Sequence, residues 1–112
     1  MSAEALKGHL DGMILAVLAA GPRHGYGVID ALRTESGGRF DLPKGTIYPA
    51  LHRLERAGLI DGQWSDENGR RRRTYELTAA GRRRLGVERR SWHEFAAGVG
   101  ALLGQEEPWP AT

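Results

Sequence analysis

The stretch Leu59-Ile60-Asp61-Gly62-Gln63-Trp64-Ser65-Asp66-Glu67-Asn68-Gly69-Arg70-Arg71-Arg72-Arg73-Thr74-Tyr75-Glu76-Leu77 is where the period of the chain changes. Two short strand-like pieces, Leu59 to Trp64 and Arg72 to Leu77, flank Asp66-Glu67-Asn68-Gly69. Asn-Gly is the strongest short hairpin-turn signal, because both turn residues must take positive φ. In the second piece Tyr75 and Leu77 alternate with Thr74 and Glu76, as a half-buried strand requires. Everything before the hairpin has helical spacing instead. Leu6, Leu10, Met13, Ile14, Val17 and Leu18 predict an amphipathic helix over 5–20, with Leu15 off the stripe as a hint of a second covered face. Gly21-Pro22 stops it. Tyr26, Val28, Ile29 and Leu32 predict a short second helix ending at Gly37-Gly38. A third follows Pro43, with Ile47, Ala50, Leu51 and Leu54 on one face and Gly58 closing it. After the hairpin, Thr78 offers a hydroxyl cap to a last helix running to about Gly104.

Three helices followed by a hairpin is the layout of a winged helix-turn-helix, mostly α with a β-hairpin wing. The expected division is a winged-helix domain over 1–78, a C-terminal dimerisation helix over 79–104 and a disordered tail over 105–112, where Pro108 and Pro110 oppose helix. In this architecture the third helix enters the major groove of DNA and the hairpin rides on the adjacent backbone. Removing the buried stripe from the third helix leaves Lys44, Thr46, Tyr48, Pro49, His52, Arg53 and Arg56 to face outward. Thr46 lies in the first turn, the part of a recognition helix that reaches base edges. Pro49 removes the hydrogen bond to the Gly45 carbonyl, which should bend or loosen that turn. Arg70 to Arg73 follow the hairpin tip, and strand alternation sends Arg70 and Arg72 to one face, Arg71 and Arg73 to the other. Two or three of the four can therefore meet one phosphate track. A charged edge that blocks sheet-to-sheet pairing would use the same run.

Charge is distributed to match. The 112 residues carry a formal net charge of only +2, but residues 44–90 hold twelve bases and six acids while residues 91–112 hold three Glu and no base. Fourteen of the sixteen bases are Arg, whose planar fork suits phosphate and guanine edges. A GC-rich genome accounts for Arg over Lys, but not for the clustering. Leu, Ile, Val and Phe number 23, a thin supply for a self-sufficient core of this length. A second copy of the chain is the simplest way to complete the burial.

His24-Gly25-Tyr26-Gly27, then Gly45-Thr46-Ile47-Tyr48-Pro49-Ala50-Leu51-His52-Arg53-Leu54-Glu55 with Gly58-Leu59-Ile60, then Gly69 to Gly81 strongly resemble the PadR-like transcriptional regulators. The similarity covers about residues 6–104. It implies a winged-helix homodimer that represses transcription, often of detoxification or efflux genes or of its own gene, and the single C-terminal helix is similar to the family's compact subgroup. By resemblance Thr46, Tyr48 and Pro49 fall in the recognition motif, Lys44 beside it as a phosphate contact, and Arg70, Arg71, Arg72 and Arg73 in the wing. Tyr26 matches the second-helix motif, with a packing role and at most one phosphate contact. Pro43 stands where a Ser-like helix cap is expected.

In the last helix, Leu85, Trp92 and Val99 with Phe95 and Leu102 form an a/d seam interrupted at Glu88, which fits a two-stranded dimer contact. Trp92 then has two readings. It packs the seam, or, as the resemblance implies, it faces its symmetry mate across a pore where planar hydrophobic molecules stack, with Phe95, Ala96, Asp11 and Leu15 as lining. An acidic Asp11 would favour cationic aromatics.

Other classes have less to stand on. The chain has no cysteine, so disulfides, thiolate metal sites and cysteine nucleophiles are excluded. His9, His24, His52 and His93 are scattered, without metal-ligand spacing, and no serine has elbow glycines, so neither enzyme, metal site nor cofactor is expected. A metal-responsive regulator and a protein-interaction winged helix remain as alternatives. The longest apolar run, Gly12 to Gly21, is too short to cross a membrane and is preceded by Glu4 and Asp11 in a region where a signal peptide would be basic, so a cytoplasmic protein is expected. The expected partners are an inverted-repeat operator in double-stranded DNA and a second copy of the chain.

Overall fold

A computed structural model describes residue 6 and residues 8–104 of the chain. The elements run α1 (Leu10–Ala19), β1 (Arg23–His24), α2 (Gly25–Glu35), α3 (Lys44–Arg56), β2 (Ile60–Glu67), β3 (Arg70–Leu77) and α4 (Ala79–Leu103). This is the winged helix-turn-helix, with a long C-terminal helix added. The tail expected over 105–112 lies outside the described residues.

Asn68 and Gly69 turn the hairpin with φ of 53° and 74°, the positive values a two-residue primed turn demands. The strands reach further than the apolar alternation indicates. Glu67 pairs with Arg70 and Asp66 with Arg71 in the antiparallel register, so opposite charges across the ladder extend it where apolar residues run out. β1, absent from the sequence reading, adds Arg23 opposite Tyr75 and His24 opposite Thr74, giving the sheet order β1-β3-β2. Two residues are too few to show any period. The single helix expected over 5–20 is also interrupted. Gly8 takes φ of 89° and separates the buried Leu6 from α1.

The core gathers the apolar faces of all three head helices. Ile14, Leu15, Val17 and Leu18 of α1 meet Val28, Ala31 and Leu32 of α2 and Ile47, Ala50, Leu51 and Leu54 of α3, with Ile60 and Tyr75 closing it from the sheet. Leu85, placed by the heptad reading on the dimer seam, instead belongs to this core at 4% exposure. Its position on α4 is still close enough to the head to be consumed by it.

α4 is fixed at its start. The Thr78 hydroxyl accepts from the Gly81 amide at 3.0 Å and donates to the Gly58 carbonyl at 2.7 Å. Gly81 is needed because a Cβ there would collide with the Leu59 carbonyl oxygen. Further along, Gly12 of α1 lies against the Cβ of Glu88, and beyond that turn α4 leaves the head. The radius of gyration is 17.0 Å, against about 13 Å for a compact domain of this size. The projecting stretch carries Trp92, Phe95, Val99, Leu102 and Leu103 uncovered.

Candidate nucleic-acid interface

α3 begins where Pro43 fixes an extended backbone with φ −76°. Its carbonyl accepts from the amides of Thr46 at 3.0 Å and Ile47 at 3.2 Å, so the expected Ser-like side-chain cap is dispensable. The helix ends as glycine-terminated helices do, with Gly58 at φ 76° and the Leu59 amide bonded to the Leu54 carbonyl at 3.0 Å. Pro49 does not break the helix, which runs through it continuously. Lys44, Pro49, His52, Arg53 and Arg56 are exposed, and Thr46 and Tyr48 are half-buried. Pro49, His52, Glu55 and Arg56 line an open depression on the outer face.

Tyr48 is not a freely extended side chain. Its ring lies on the backbone of Gly25, where an added Cβ would come 2.5 Å from the hydroxyl oxygen and 2.6 Å from Cζ. Tyr26 meets it edge-on, with centroids 6.4 Å apart. Burial lifts the Tyr48 hydroxyl above its ordinary value, with Tyr26 adding and Lys44 opposing. Tyr26 itself is 53% exposed, so the packing role expected of it is only partial. Lys44 sits 4.6 Å from the Tyr26 ring centroid, and interaction with that side chain raises its pKa. The second-helix and third-helix motifs are thus two halves of one contact, a link invisible in a one-dimensional reading.

The four wing arginines divide by partner. Arg73 crosses over Gly62 to an ion pair with Glu55 of α3, and Glu55 is the main cause of its raised pKa. Arg71 and Arg73 lie over the Trp64 ring, at 5.1 and 5.4 Å from its centroid. Arg72 approaches His24 to 2.9 Å at Nε2, while Nδ1 of His24 accepts from the Gly27 amide at 3.2 Å and caps α2. A neutral imidazole has one acceptor nitrogen. The two contacts therefore compete for the ring, since a neutral Nε2 accepts from Arg72 only in the tautomer in which Nδ1 cannot accept from Gly27. Arg70 is exposed at the tip. Between this wing and the α2 and α3 N-termini lies a groove of about 300 Å³, walled by His24, Gly25, Tyr26 and Tyr48 on one side and Trp64 with Arg70 to Arg73 on the other. His24 and Trp64 were missed in the sequence. Neither carries a fixed charge, and only the folded register brings them to the arginines.

Arg53 is engaged elsewhere, in an ion pair with Asp11 of α1. That pair changes the second candidate site. Asp11 is neutralised by Arg53 and no longer gives a reason to favour cationic ligands, and Leu15 is fully enclosed in the head core with no surface for a ligand. What the structure does bring together is Trp92, Phe95 and His9, a member the sequence reading lacked. His9 stands edge-on to Trp92 at 5.5 Å and 6.1 Å from Phe95, with the latter two rings 6.0 Å apart. Ala96 is partly covered beside them. Among the described residues, no group of three or more His, Asp or Glu side chains is arranged to hold a metal ion. Nor is any helix among them long and apolar enough to cross a membrane.

Comparison with known proteins identifies the family and the fold. The profile of the family described as transcriptional regulator PadR-like matches residues 14–87. A transcriptional regulator of Mycobacterium tuberculosis is 43% identical over 60 residues, which is 54% of this chain and 56% of the relative. The crystal structure of a PadR-like transcriptional regulator from Bacillus cereus superposes with a TM-score of 0.80 at 30% identity, covering 93% of this chain and 100% of that one. A transcriptional regulator from Clostridium thermocellum shares the fold, with a TM-score of 0.82 at 24% identity over 90% of this chain and 99% of that one.

Proposed function

This chain belongs to the PadR-like family of transcriptional regulators, and from that premise we propose that it is a homodimeric DNA-binding repressor whose two heads read an inverted repeat. The observation that carries the reading is the joined surface of α3 and wing. A helix face with exposed Pro49, His52 and Arg56 and half-buried Thr46 stands beside a groove lined by Arg70, Arg71 and Arg72, with Lys44 over the Tyr26 ring of its wall. The helix face suits the major groove and the rim suits the flanking phosphates. Function of this kind needs no catalytic constellation, and it places the protein in the cytoplasm with the chromosome.

The dimer rests on α4. Trp92, Phe95, Val99, Leu102 and Leu103 present an apolar stripe that stays exposed even with the His9 ring beside Trp92 and Phe95, so residues 79–104 serve as the dimerisation helix of the 1–78 winged-helix domain. Twofold symmetry then sets half-sites about one helical turn apart. Binding to the protein's own upstream DNA against a scrambled duplex, at two salt concentrations, tests the whole. Specific repression predicts a preference of at least ~10³-fold with a steep salt slope. Equal affinity for both duplexes would leave an electrostatic surface that an acidic protein partner could use. A monomer in sedimentation at micromolar concentration would remove the inverted-repeat geometry.

The His9–Trp92–Phe95 cluster favours a second layer, in which a planar hydrophobic effector stacks on Trp92 near the dimer seam and releases the operator by changing how the heads sit on α4. Half-exposed aromatic rings at an interface lose little entropy on taking up a flat ligand. A planar dye that quenches tryptophan fluorescence in the wild type and not in Trp92→Ala supports it; equal quenching in both removes it.

A further inference from the structure

Trp64 is the one large apolar side chain of the two hairpin strands that the core leaves exposed. Along β2, alternation sends Ile60, Gly62 and Trp64 to one face of the sheet. Ile60 is in the core, and Gly62 is roofed by Arg73 on its way to Glu55. The core ends there. Trp64 continues the apolar face past the core's edge and leaves 56% of its surface exposed. The ring is nevertheless held in place, because two guanidinium groups lie over it at 5.1 and 5.4 Å. One of those arginines is itself anchored to α3 by Glu55.

We propose that Trp64 is a DNA-contact residue of the wing: it takes a deoxyribose of the strand lying in the groove between wing and α3, and holds Arg71 against the adjacent phosphate. A sugar-phosphate strand alternates apolar sugar faces with anionic oxygens, and the groove alternates in kind. Tyr26 and Tyr48 stand on the wall opposite Trp64, with arginines along the rim. Free solvent is a poor neighbour for half an indole ring; a sugar face is a good one. Arg71, held over the indole at 5.1 Å from its centroid, has less rotamer freedom to lose, so its phosphate contact costs less ordering on binding.

The inference rests on the DNA-binding reading above, and the experiment separates the two. Operator binding by the full dimer is compared for wild type, Trp64→Ala, Trp64→Phe and Arg71→Ala across a salt series. The expected result is roughly a tenfold loss for Trp64→Ala with the salt slope kept, since no charge is removed. Trp64→Phe, which keeps a ring for Arg71, recovers part of the loss. Arg71→Ala lowers the slope by roughly 0.9, and the double variant loses less than the two single losses multiplied. A version with Trp92 and Trp109 changed to Phe, compared at operator concentrations that saturate it and with its dimer confirmed by sedimentation, should show Trp64 emission altered by operator and not by salt alone. Wild-type affinity in Trp64→Ala, or emission indifferent to operator, overturns the role of Trp64 while leaving DNA binding in place. A wild-type protein with no preference for its upstream DNA overturns the underlying reading instead. Circular dichroism of Trp64→Ala checks the fold, which an exposed ring should not decide.

Discussion

Gly25→Ala sets two physical effects of opposite sign against each other. Gly25 is the first residue of α2, and helix propensity alone makes Ala the better residue there, by up to about 1 kcal/mol in a helix interior and less at the first turn. The packing opposes it. The new methyl would stand 2.5 Å from the Tyr48 hydroxyl oxygen and 2.6 Å from Cζ, where ordinary contact begins at 3.4 Å. The ring must retreat by roughly 1 Å, which also disturbs its edge-on contact with Tyr26. Overpacking of this kind costs about 1–3 kcal/mol. The clash wins, and the net loss of about 1–2 kcal/mol should lower Tm by roughly 5–10 °C at matched protomer concentration. Operator affinity should fall by at least about tenfold besides, because the displaced ring is a wall of the strand groove. The assay is a thermal melt and an operator titration of both Gly25→Ala and Gly25→Ala/Tyr48→Ala. With the ring gone, Gly25→Ala should be neutral or stabilising, giving a coupling above about 1 kcal/mol in the cycle. A single variant that melts higher than wild type would refute the reasoning, since propensity would then have prevailed.

Other perturbations probe how the charges are shared. Arg73→Ala should reduce the salt slope of DNA binding by less than Arg71→Ala does, because Glu55 already neutralises Arg73; equal slopes would mean that Arg73 leaves Glu55 for a phosphate. Asp11→Asn releases Arg53 and should raise affinity for all duplexes several-fold, with the slope steeper by roughly one; an unchanged slope would show that Arg53 reaches no phosphate. Burial holds the hydroxyls of Tyr48 and Tyr75 above their ordinary 10.0, so the folded chain keeps protons that the unfolded chain gives up. That contribution is complete below the unfolded value and is lost as pH rises through the folded ones. Denaturant unfolding at pH 9 and 11 should show the fall, flattened in Tyr48→Phe, and an identical fall in that variant would exclude Tyr48 as a source.

Local rules determined much of this protein from its sequence. Asn68-Gly69 needs positive φ at both positions, the Ile47-Ala50-Leu51-Leu54 stripe has one way to be buried, and Thr78 caps α4 as its hydroxyl allows. Each depends on neighbours within a turn or two, so each is legible along the chain. The distribution of charge was legible for the same reason, and with it the basic middle over residues 44–90.

Partner choice was decided only in three dimensions. The sequence could not tell that Arg73 belongs to Glu55, that Arg53 belongs to Asp11 forty-two positions earlier, or that Arg72 lies against the histidine that caps α2. It assigned Leu85 to the seam and Leu15 to a ligand, and the head core took both. Long flexible side chains and apolar residues at an element's boundary have several acceptable neighbours, and burial geometry selects among them. The pairing of Gly25 with Tyr48 has the same origin: the space left by a missing Cβ has meaning only once another helix is there to fill it.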